Sequence, residues 1–403
     1  MDHIMKKVAI VGCGLRIIAF AKALKNTYNE THSIVALMDN DPGKMDRFAK
    51  WVELDAPQYT DFDKMCSEIQ PDLVIIGTTD AFHADYIVRA LDKKIGVISE
   101  KPLCINAEQC LQIREACKRN PEVFAVTSHN SRYRPVAQTL KQVLLSGVIG
   151  DIQSVEYHEL LDRVHGKSYF RRWNSRRKYS NGLQLHKSSH HFDKLNFLLD
   201  SHAVEVTGSG ALIAYGAKAP HKYEGTRCCE CAHKDECPDY FAYDEKLYDR
   251  NAYTPDMCIW SKDIDIEDTF SATILFANGV YASYSLCAHA DYEGEIINIQ
   301  GTKGRVEARQ LSYKSTASDV HNMTSVPEES IKIFRFGAAG VEEVPIQRGD
   351  GAHGGADAKI FSELFAVPPA DTLPTIEDGI QAVLTGAAIV RSMQNKRAEK
   401  VQI

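Results

Sequence analysis

The sequence predicts an α/β protein with a doubly wound parallel sheet in its N-terminal part and an α+β domain after it. Short apolar runs alternate with helix-period segments over residues 6–125, as in parallel sheets that helices cover on both faces. Beyond about residue 150, strand-like runs follow one another through tight turns, which is typical of antiparallel pairing. The 403 residues suffice for two separate cores, and we place the domains at 1–126 and 127–403.

Each predicted element follows from its pattern of apolar residues. The first sheet takes its strands from five buried runs, at residues 8–11, 33–38, 73–76, 96–99 and 124–126, with helices such as 81–92 and 107–118 between them. In the second domain we expect a helix over 183–199, strands over 203–214, 269–276, 280–286 and 296–300, and a last helix over 375–394. Residues 216–266, rich in Cys, Tyr and Asp, are predicted to be a long insertion.

Composition argues against several classes of function. The net charge of −7 comes with no dense basic stripe, so no nucleic-acid partner is expected. No run of about 18 apolar residues occurs, so no membrane span is expected. Residues 1–7 lack the apolar core of a secretory signal, and the 11 cysteines are scattered along the chain. These features predict a cytoplasmic protein with reduced thiols.

A glycine turn follows the first predicted strand. Gly12, Cys13 and Gly14 stand between that strand and a helical run, where the backbone can approach a pyrophosphate at the helix N-terminus. Leu15 and Arg16 continue this predicted dinucleotide loop. The third glycine of the usual motif is replaced by Ile17, which predicts looser packing of helix on strand. The alternative is a turn that only reverses the chain.

Asp39 ends the second predicted strand, 25 residues after Gly14. A carboxylate there can accept hydrogen bonds from the adenosine ribose and repels a 2′-phosphate, so NAD is favoured over NADP. Asp41 strengthens this preference, and Arg47 is expected to lie too far along the next helix to reverse it. The alternative is that Asp39 caps that helix.

Several motifs in one order resemble the Gfo/Idh/MocA oxidoreductases, the group that includes glucose-fructose oxidoreductase and inositol dehydrogenase. The motifs are residues 8–14 (VAIVGCG), 76–79 (IGTT) with His83, 100–102 (EKP), 129–133 (HNSRY), 147–150 (GVIG) and 353–357 (HGGAD). The resemblance covers most of the chain, and its Glu-Lys-Pro element after the fourth strand is the most specific part.

The resemblance implies a Rossmann domain followed by a domain with a large open sheet, often used to form homo-oligomers, here a dimer or tetramer. It implies a tightly held nicotinamide cofactor and a small carbohydrate substrate, such as a sugar or polyol. Lys101 is implied to lie near the nicotinamide and the reacting hydroxyl. The residues implied to line the cofactor groove are Thr78, Thr79, His83, Glu100 and Asn130.

The family usually carries Asp-x-Gly-x-His-x-x-Asp on a helix of the second domain. Here His190 and Asp193 match its last two positions, while His186 replaces the first aspartate and Ser188 the glycine. On one helix, His186, His190 and Asp193 would share a face.

Alcohol oxidation needs a base, and an imidazole suits that task near neutral pH. We expect His190 to be the general acid/base and Lys101 to hydrogen-bond the reacting oxygen. His186 would orient His190 or touch substrate. The open alternatives are a solvated histidine face, a zinc site on His186, His190 and Asp193, and a structural salt bridge for Lys101.

Further substrate contacts are expected from Lys187 and Asp193 on the same helix, from Trp173 in an aromatic and basic segment, and from His353 in a glycine-rich loop. Trp173 could instead belong to the core, and His353 could be exposed.

Four cysteines of the insertion have metal-ligand spacing. Cys228-x-x-Cys231-x5-Cys237 and the later Cys258 could hold a structural zinc ion, which would stabilise a segment without a core of its own. Free or disulfide-bonded cysteines are the alternative.

Three functions follow from these observations. The leading one is an NAD-dependent oxidoreductase acting on a hydroxyl of a sugar, polyol or glycoside. The second is an NAD-dependent glycosidase, as some relatives are, that oxidises a sugar transiently, eliminates the aglycone, adds water and returns the hydride. The third is a non-catalytic, NAD-binding regulatory protein.

Overall fold

The computed structural model describes residues 5–219, 223, 225–242, 255–314, 325–349 and 352–402. Within these residues the chain forms two sheets, one of six strands and one of nine. The last strand of the first sheet ends at Thr127 and the first strand of the second begins at Ile152. The change of pattern near residue 150 therefore marks the step from one sheet to the other.

All five predicted strands of the first sheet are confirmed. The strands are β1 (Lys6–Val11), β2 (His32–Met38), β3 (Gln58–Tyr59), β4 (Leu73–Ile76), β5 (Gly96–Ser99) and β6 (Ala125–Thr127). The helices of this part are α1 (Ile17–Asn26), α2 (Pro42–Val52), α3 (Phe62–Ile69), α4 (His83–Asp92), α5 (Ala107–Arg119) and α6 (Pro135–Leu145). Only the two-residue strand β3 had no counterpart in the prediction.

Every pairing in this sheet is parallel, in the order β3-β2-β1-β4-β5-β6. The strand order reverses between β1 and β4, and ligands of such sheets bind outside the carboxyl ends of the strands at this reversal. The glycine turn follows β1, and residues 77–80 follow β4. The topology therefore fixes where a dinucleotide can lie.

The second sheet is mostly antiparallel, as predicted. Its strands are β7 (Ile152–Asp162), β8 (Ala203–Ala211), β9 (Thr269–Phe276), β10 (Tyr281–Ala290), β11 (Glu293–Gly301), β12 (Gly304–Lys314), β13 (Ser325–Arg335), β14 (Glu342–Glu343) and β15 (Glu399–Lys400). The order is β14-β13-β12-β11-β7-β10-β9-β8-β15, and only β7 and β10 pair in parallel among the described strands. Strands β7, β12 and β13 and the two-residue strands β14 and β15 were not foreseen.

The remaining helices are α7 (Arg163–Phe170), α8 (Arg177–Ser180), α9 (Leu183–His186), α10 (Ser189–Leu199), α11 (Ala356–Leu364) and α12 (Ile376–Asn395). The single helix expected over 183–199 is therefore wrong, because the chain breaks at Lys187 and Ser188. The N–H of His190 donates to the carbonyl of Lys187, at 3.3 Å, and not four residues back. The Ser188 hydroxyl contacts the Tyr284 hydroxyl at 2.8 Å, which holds the break in place.

The two C-terminal helices return to the first domain. On α12, Ile380 and Val383 belong to the core around Val74 and Val97. On α11, Phe361 packs against Phe20 of α1 with ring centroids 4.7 Å apart. These contacts add apolar area to a core that the six strands begin. Among the described residues, no helix is both long and apolar enough for a bilayer crossing.

Candidate active site

A cleft of about 1050 Å³ lies between the two sheets. One side, the nucleotide wall, comprises residues 13–16, 40, 41, 44, 47, 51, 77–80, 83, 100, 101, 130 and 131. The other, the substrate wall, comprises residues 159, 165, 168, 169, 171–174, 186, 187, 190, 191, 293 and 295. The two walls bring together residues that lie up to about 280 positions apart in sequence.

The glycine turn has the geometry that a dinucleotide needs. Gly12 has a φ of +94°, and a Cβ there would lie 2.6 Å from the backbone of Gly77. Only glycine tolerates both conditions. Cys13, Gly14, Leu15 and Arg16 line the cleft immediately before α1, whose N-terminus favours a bound anion. The residues present therefore fit a dinucleotide.

The expected loose packing at Ile17 does not occur. A Cβ on Gly77 would lie 2.2 Å from the Ile17 side chain, so the isoleucine packs directly on the glycine that ends β4. Helix α1 therefore still packs closely on the sheet, because Gly77, and not a glycine at position 17, is the small residue of this contact.

Asp39 lies at the end of β2, as predicted, but its carboxylate is buried against the glycine turn. Cys13 N–H donates to it at 2.9 Å, and Asp41 N–H donates at 3.1 Å. The helix α2 is capped by Asp41, not by Asp39. The expectation that Arg47 lies too far away is wrong, because Arg47 lines the cleft together with Lys44.

A buried ion-pair network supports the cofactor loop. Arg16 pairs with Glu100 at 3.0 Å and binds both carboxylate oxygens of Asp357 at 2.9 Å. Asn130 donates to the same Asp357 at 2.7 Å. Three residues predicted to touch the cofactor thus hold one another in place. Asp357 was missed as a member, although it closes the quoted HGGAD motif.

His83 joins the two loops that flank the expected nicotinamide position. Its ring nitrogens lie 2.8 Å from the carbonyl of Pro102 and 3.1 Å from that of Thr78. Thr78, Thr79 and Lys101 line the cleft beside it, and the Lys101–Pro102 bond is cis. The loops after β4 and β5 are therefore fixed relative to each other.

Lys101 reaches across the cleft to the substrate wall. Its ammonium donates to the carbonyl of His186 at 3.1 Å. That carbonyl is available because the helix break leaves it without the N–H of His190. Burial lowers the pKa of the Lys101 amine to about 8, although Glu100 and Asp80 favour its charged form.

His186 forms a dyad with Asp80, a residue that sequence reasoning missed. Its Nδ1 lies 2.6 Å from Asp80 Oδ2. Burial raises the pKa of Asp80 to about 7, although His83 and Lys101 oppose the shift. Burial, and then the Lys101 charge, lower the pKa of His186 well below its usual value. A carboxyl group that titrates near neutrality beside an imidazole can exchange a proton.

His190 lines the cleft with an unengaged ring nitrogen. Its buried Nδ1 has no hydrogen-bond partner among the described residues. Its ring meets that of His129 edge-on, with centroids 6.1 Å apart. Burial, and then the Lys101 charge, lower the pKa of His190 well below its usual value. The ring is therefore neutral at pH 7, as a general base must be.

Asp193 does not reach the cleft, which corrects the expected substrate contact. It is fully buried and forms a bidentate ion pair with Arg132. With His186 bound to Asp80 and Asp193 to Arg132, the three residues do not form the zinc site considered as an alternative.

A charged cluster on the substrate wall was not foreseen from sequence. Glu159 pairs with Lys187 at 3.0 Å and with His191 at 3.3 Å. Glu295 pairs through both oxygens with Lys194 at 2.6 Å. Glu159, His191 and Glu295 are the described group compact enough for a metal, with ligand atoms within 4.8 Å. The two lysines already neutralise its carboxylates, so the cluster does not favour a cation. No sequence motif marked it, because β7 and β11 were brought together only by the fold.

The other expected substrate residues lie as follows. Trp173 and Lys187 line the cleft, and Trp173 meets His186 edge-on at 5.4 Å. His353 belongs to a short 3-10 turn (Ala352–Gly355), and its side chain lies outside the described part of the structure. Arg171 and Arg172 line the same wall as Trp173.

This fold, with a glycine turn at the strand reversal and a lysine beside it, defines an NAD-dependent oxidoreductase. Residues 6–128 match the oxidoreductase-family NAD-binding Rossmann fold, and residues 141–403 match the C-terminal alpha/beta domain of the same family. The chain belongs to the Gfo/Idh/MocA oxidoreductase family.

Several relatives place it more closely. The Bacillus subtilis oxidoreductase YteT is 32% identical over 424 residues, covering 96% of each chain. A 2,7-anhydro-N-acetylneuraminate hydratase from Mediterraneibacter gnavus is 26% identical over 211 residues, 52% of this chain and 54% of the hydratase. The structure of levoglucosan dehydrogenase with NADH and levoglucosan superposes with a TM-score of 0.69 at 17% identity, over 99% of this chain and 100% of that one.

Proposed function

We propose that this protein oxidises a hydroxyl group of a sugar, polyol or glycoside with NAD, and that Lys101 and His190 act at the reacting carbon. The observation that carries the proposal is the convergence of these two side chains, one from each wall, on one cleft. NAD, when bound, accepts the hydride of the alcohol carbon. The protein must then supply orientation and a place for the proton.

The chemistry assigns different tasks to the two groups. His190 lines the cleft and its lowered pKa keeps the ring neutral, so it can take the hydroxyl proton. Lys101 carries the positive charge that stabilises the developing alkoxide in a site shielded from water. Lys101 donates to the backbone carbonyl of His186, and the hydrogen bond between the His186 ring and Asp80 holds that residue in place. The Asp80–His186 dyad can also relay a proton.

NAD is proposed over NADP because Asp39 and Asp41 follow β2, where a Rossmann fold is expected to bind the adenosine ribose, and their carboxylates would repel a 2′-phosphate. Lys44 and Arg47 on the same wall oppose this preference. We expect the carboxylate of Asp39 to outweigh these two cations, because it is buried and electrostatic interactions are strongest where water is excluded. A carbohydrate substrate is supported by Trp173, whose ring can stack on a sugar face.

A second function is favoured by the additional acid/base pair. Glycoside cleavage through transient oxidation needs groups for elimination and hydration besides the oxidation pair. Asp80 and His186 supply such a pair within the same cleft. The name of the Mediterraneibacter gnavus relative, a hydratase, also denotes water addition.

One assay separates the two functions. Purified protein is incubated with NAD and a panel of sugars, polyols and aryl glycosides, and NADH absorbance and aglycone release are followed together. Stoichiometric NADH formation supports the dehydrogenase, and aglycone release without net NADH supports the glycosidase. Cofactor binding with no turnover of any substrate would leave only a binding role.

The second sheet also supports a proposed homo-oligomer, a dimer or tetramer. Every second residue along β9 is exposed or half-buried in the single chain, so one sheet face is free to meet a second copy. Sedimentation velocity tests this, and a monomer at micromolar concentration would exclude it.

A further inference from the structure

The insertion between β8 and β9 has little regular structure of its own. Its described residues form one 3-10 turn (Cys228–Glu230) and one isolated bridge that joins Arg227 to Met257. Tyr215, Ile259 and Ile264 anchor both ends of the insertion in the core of the second domain, but the part between them has few backbone pairings. A covalent or metal cross-link is the usual remedy.

Four cysteines of this segment surround one small cavity. Cys228, Cys231, Cys237 and Cys258 all line it, and its volume of about 10 Å³ admits a single ion-sized guest. The chain is arranged to bring them there. Cys228 and Cys231 flank the 3-10 turn, while Cys258 N–H donates to Thr226 at 2.9 Å across the bridge.

The sulfurs of Cys231 and Cys258 both lie next to Gly225. A Cβ placed on Gly225 would lie 3.5 Å from Cys231 Sγ and 3.9 Å from Cys258 Sγ. The absence of a side chain there leaves room for both sulfurs.

Four cysteine sulfurs around one small cavity match the ligand number and type of a tetrahedral zinc site. Arg171 Nη1 donates to Cys228 Sγ at 3.5 Å and would offset part of the negative charge of a tetrathiolate site.

The sulfurs are not as close as ligands of a bound ion. Among the described residues, only the cluster of Glu159, His191 and Glu295 places three ligand atoms within 4.8 Å of one another. Metal binding therefore has to draw the cysteine side chains inward. Their position at the ends of a turn and a bridge, and not within a rigid sheet, permits such movement.

The cluster is joined to the substrate wall. Arg171 contacts both the cleft and the cysteine cluster. It lines the cleft, and its side chain donates to Cys228 Sγ. Its backbone carbonyl accepts a hydrogen bond from Met257 N–H at 3.1 Å. Lys167 on the adjacent helix pairs with Asp239 at 2.6 Å. A cross-link through the cysteines would therefore restrain the segment that carries Trp173.

We propose that Cys228, Cys231, Cys237 and Cys258 bind one structural zinc ion, and that this ion fastens the insertion to the substrate wall. The ion takes no part in the chemistry of the cleft. It would act by holding Arg171 and its neighbours in place.

The test measures zinc in the full-length protein and needs no substrate. Wild-type protein should contain about one zinc per chain by mass spectrometry of metals. Cys231→Ser and Cys258→Ser should each lose at least about nine-tenths of it, since three sulfur ligands bind far more weakly than four. Cys229→Ser is the matched control and should retain the metal. Cys229 lies in the same turn, but its N–H donates to Asp256 and it does not line the cavity.

A second measurement covers the case in which the serine variants fold poorly. Zinc is removed from the wild type with a chelator and replaced by cobalt(II), whose visible bands report tetrahedral sulfur coordination. NAD binding, followed by fluorescence, verifies that the first domain is intact. The proposal is overturned by a zinc-free wild type that fails to take up cobalt, by an iron–sulfur chromophore, by disulfides among these cysteines, or by full zinc retention in Cys258→Ser. None of these readouts depends on whether the cleft oxidises a sugar.

Discussion

On the nucleotide wall of the cleft the chain presents a glycine turn next to the Arg16–Glu100 ion pair, whereas on the substrate wall it presents a cluster of charged side chains on separate strands and helices. Gly12 and Gly77 leave no space for a side chain where the dinucleotide approaches. Across the cleft, Glu159, Lys187 and His191 form a buried cluster. The first wall is shaped for a ligand common to many enzymes, and the second for one particular substrate. The contrast teaches that cofactor and specificity are encoded by different means in this chain.

Lys101 belongs to the nucleotide wall but acts toward the substrate wall, so its removal gives the largest expected effect. Lys101→Ala should lower kcat by about a thousandfold, because the charge that stabilises the alkoxide is lost. Binding of NAD should change little. Steady-state kinetics with the best substrate of the panel, and NAD titration, measure the two effects. Lys50→Ala, an exposed lysine on α2, is the control. Near-normal turnover in Lys101→Ala would contradict the assigned role.

His190 is the corresponding group of the substrate wall. His190→Ala should lower kcat by about a hundredfold or more, because a positioned general base contributes about 10² to 10⁴ in rate. The exposed His202 serves as control in His202→Ala. Rescue by added imidazole would support proton transfer in particular. A rise in KM with kcat unchanged would show that the ring only shapes the pocket.

A substitution of Asp193 tests whether this residue, on the same helix as the proposed base His190, has a structural role. Asp193→Asn breaks a fully buried ion pair with Arg132, and breaking such a pair costs about 3–5 kcal/mol of unfolding free energy. Denaturant unfolding should show this loss, while kcat of the folded fraction stays within a few-fold of wild type. An Asp193→Asn variant that is as stable as the wild type but inactive would show that Asp193 takes part in the reaction.

The cofactor preference tests the nucleotide wall itself. Asp39→Ser removes the buried carboxylate and leaves Lys44 and Arg47, so the ratio of NAD to NADP efficiency should shift by about ten- to a hundredfold toward NADP. The exposed Asp46 on α2 gives the control Asp46→Asn. An unchanged ratio would mean that Asp39 only supports the turn through Cys13.

The smallest expected effect is the pH dependence of kcat/KM, which should fall on both the acid and the alkaline side. A lowered pKa keeps His190 neutral in acid, so the acid limb of kcat/KM for oxidation should lie below pH 6.5. Lys101 loses its proton as pH rises through about 8, and activity should fall there with the charge. Lys101→Arg, which stays charged, should remove the alkaline limb even if its rate is lower. The pKa of the Asp80 carboxyl in this cleft is also about 7, so an acid limb at pH 7 or above contradicts the neutral histidine if it persists in Asp80→Asn.

The sequence predicted the nucleotide wall well and the substrate wall poorly, for a physical reason. Backbone constraints are local, so a glycine turn after a strand is visible in a few neighbouring residues. The bounds of β4 and β5 and the capped helix α12 were accurate for the same reason. The replacement of the third glycine by Ile17 misled because its partner Gly77 lies 60 positions away, and Asp357 was missed because it lies 341 positions from Arg16.

Side-chain pairs of the substrate wall join residues that the fold alone brings together. Asp80 meets His186 across 106 positions. Glu159 and Glu295 lie on strands β7 and β11, and β7 was not foreseen. The helix break at Lys187 and Ser188 is held by the hydroxyl of Tyr284. Because Tyr284 is distant in sequence, the local pattern of residues does not predict the break. Helical spacing therefore assigned His186, His190 and Asp193 to one face, whereas they have three different surroundings.

A crystal structure with NAD and a turned-over carbohydrate tests the convergence of the two walls most directly. We expect one substrate hydroxyl oxygen within about 3.2 Å of both Lys101 Nζ and a ring nitrogen of His190, with its carbon facing C4 of the nicotinamide. A sugar bound productively against the nicotinamide, with its reacting hydroxyl held by other groups, would contradict the account.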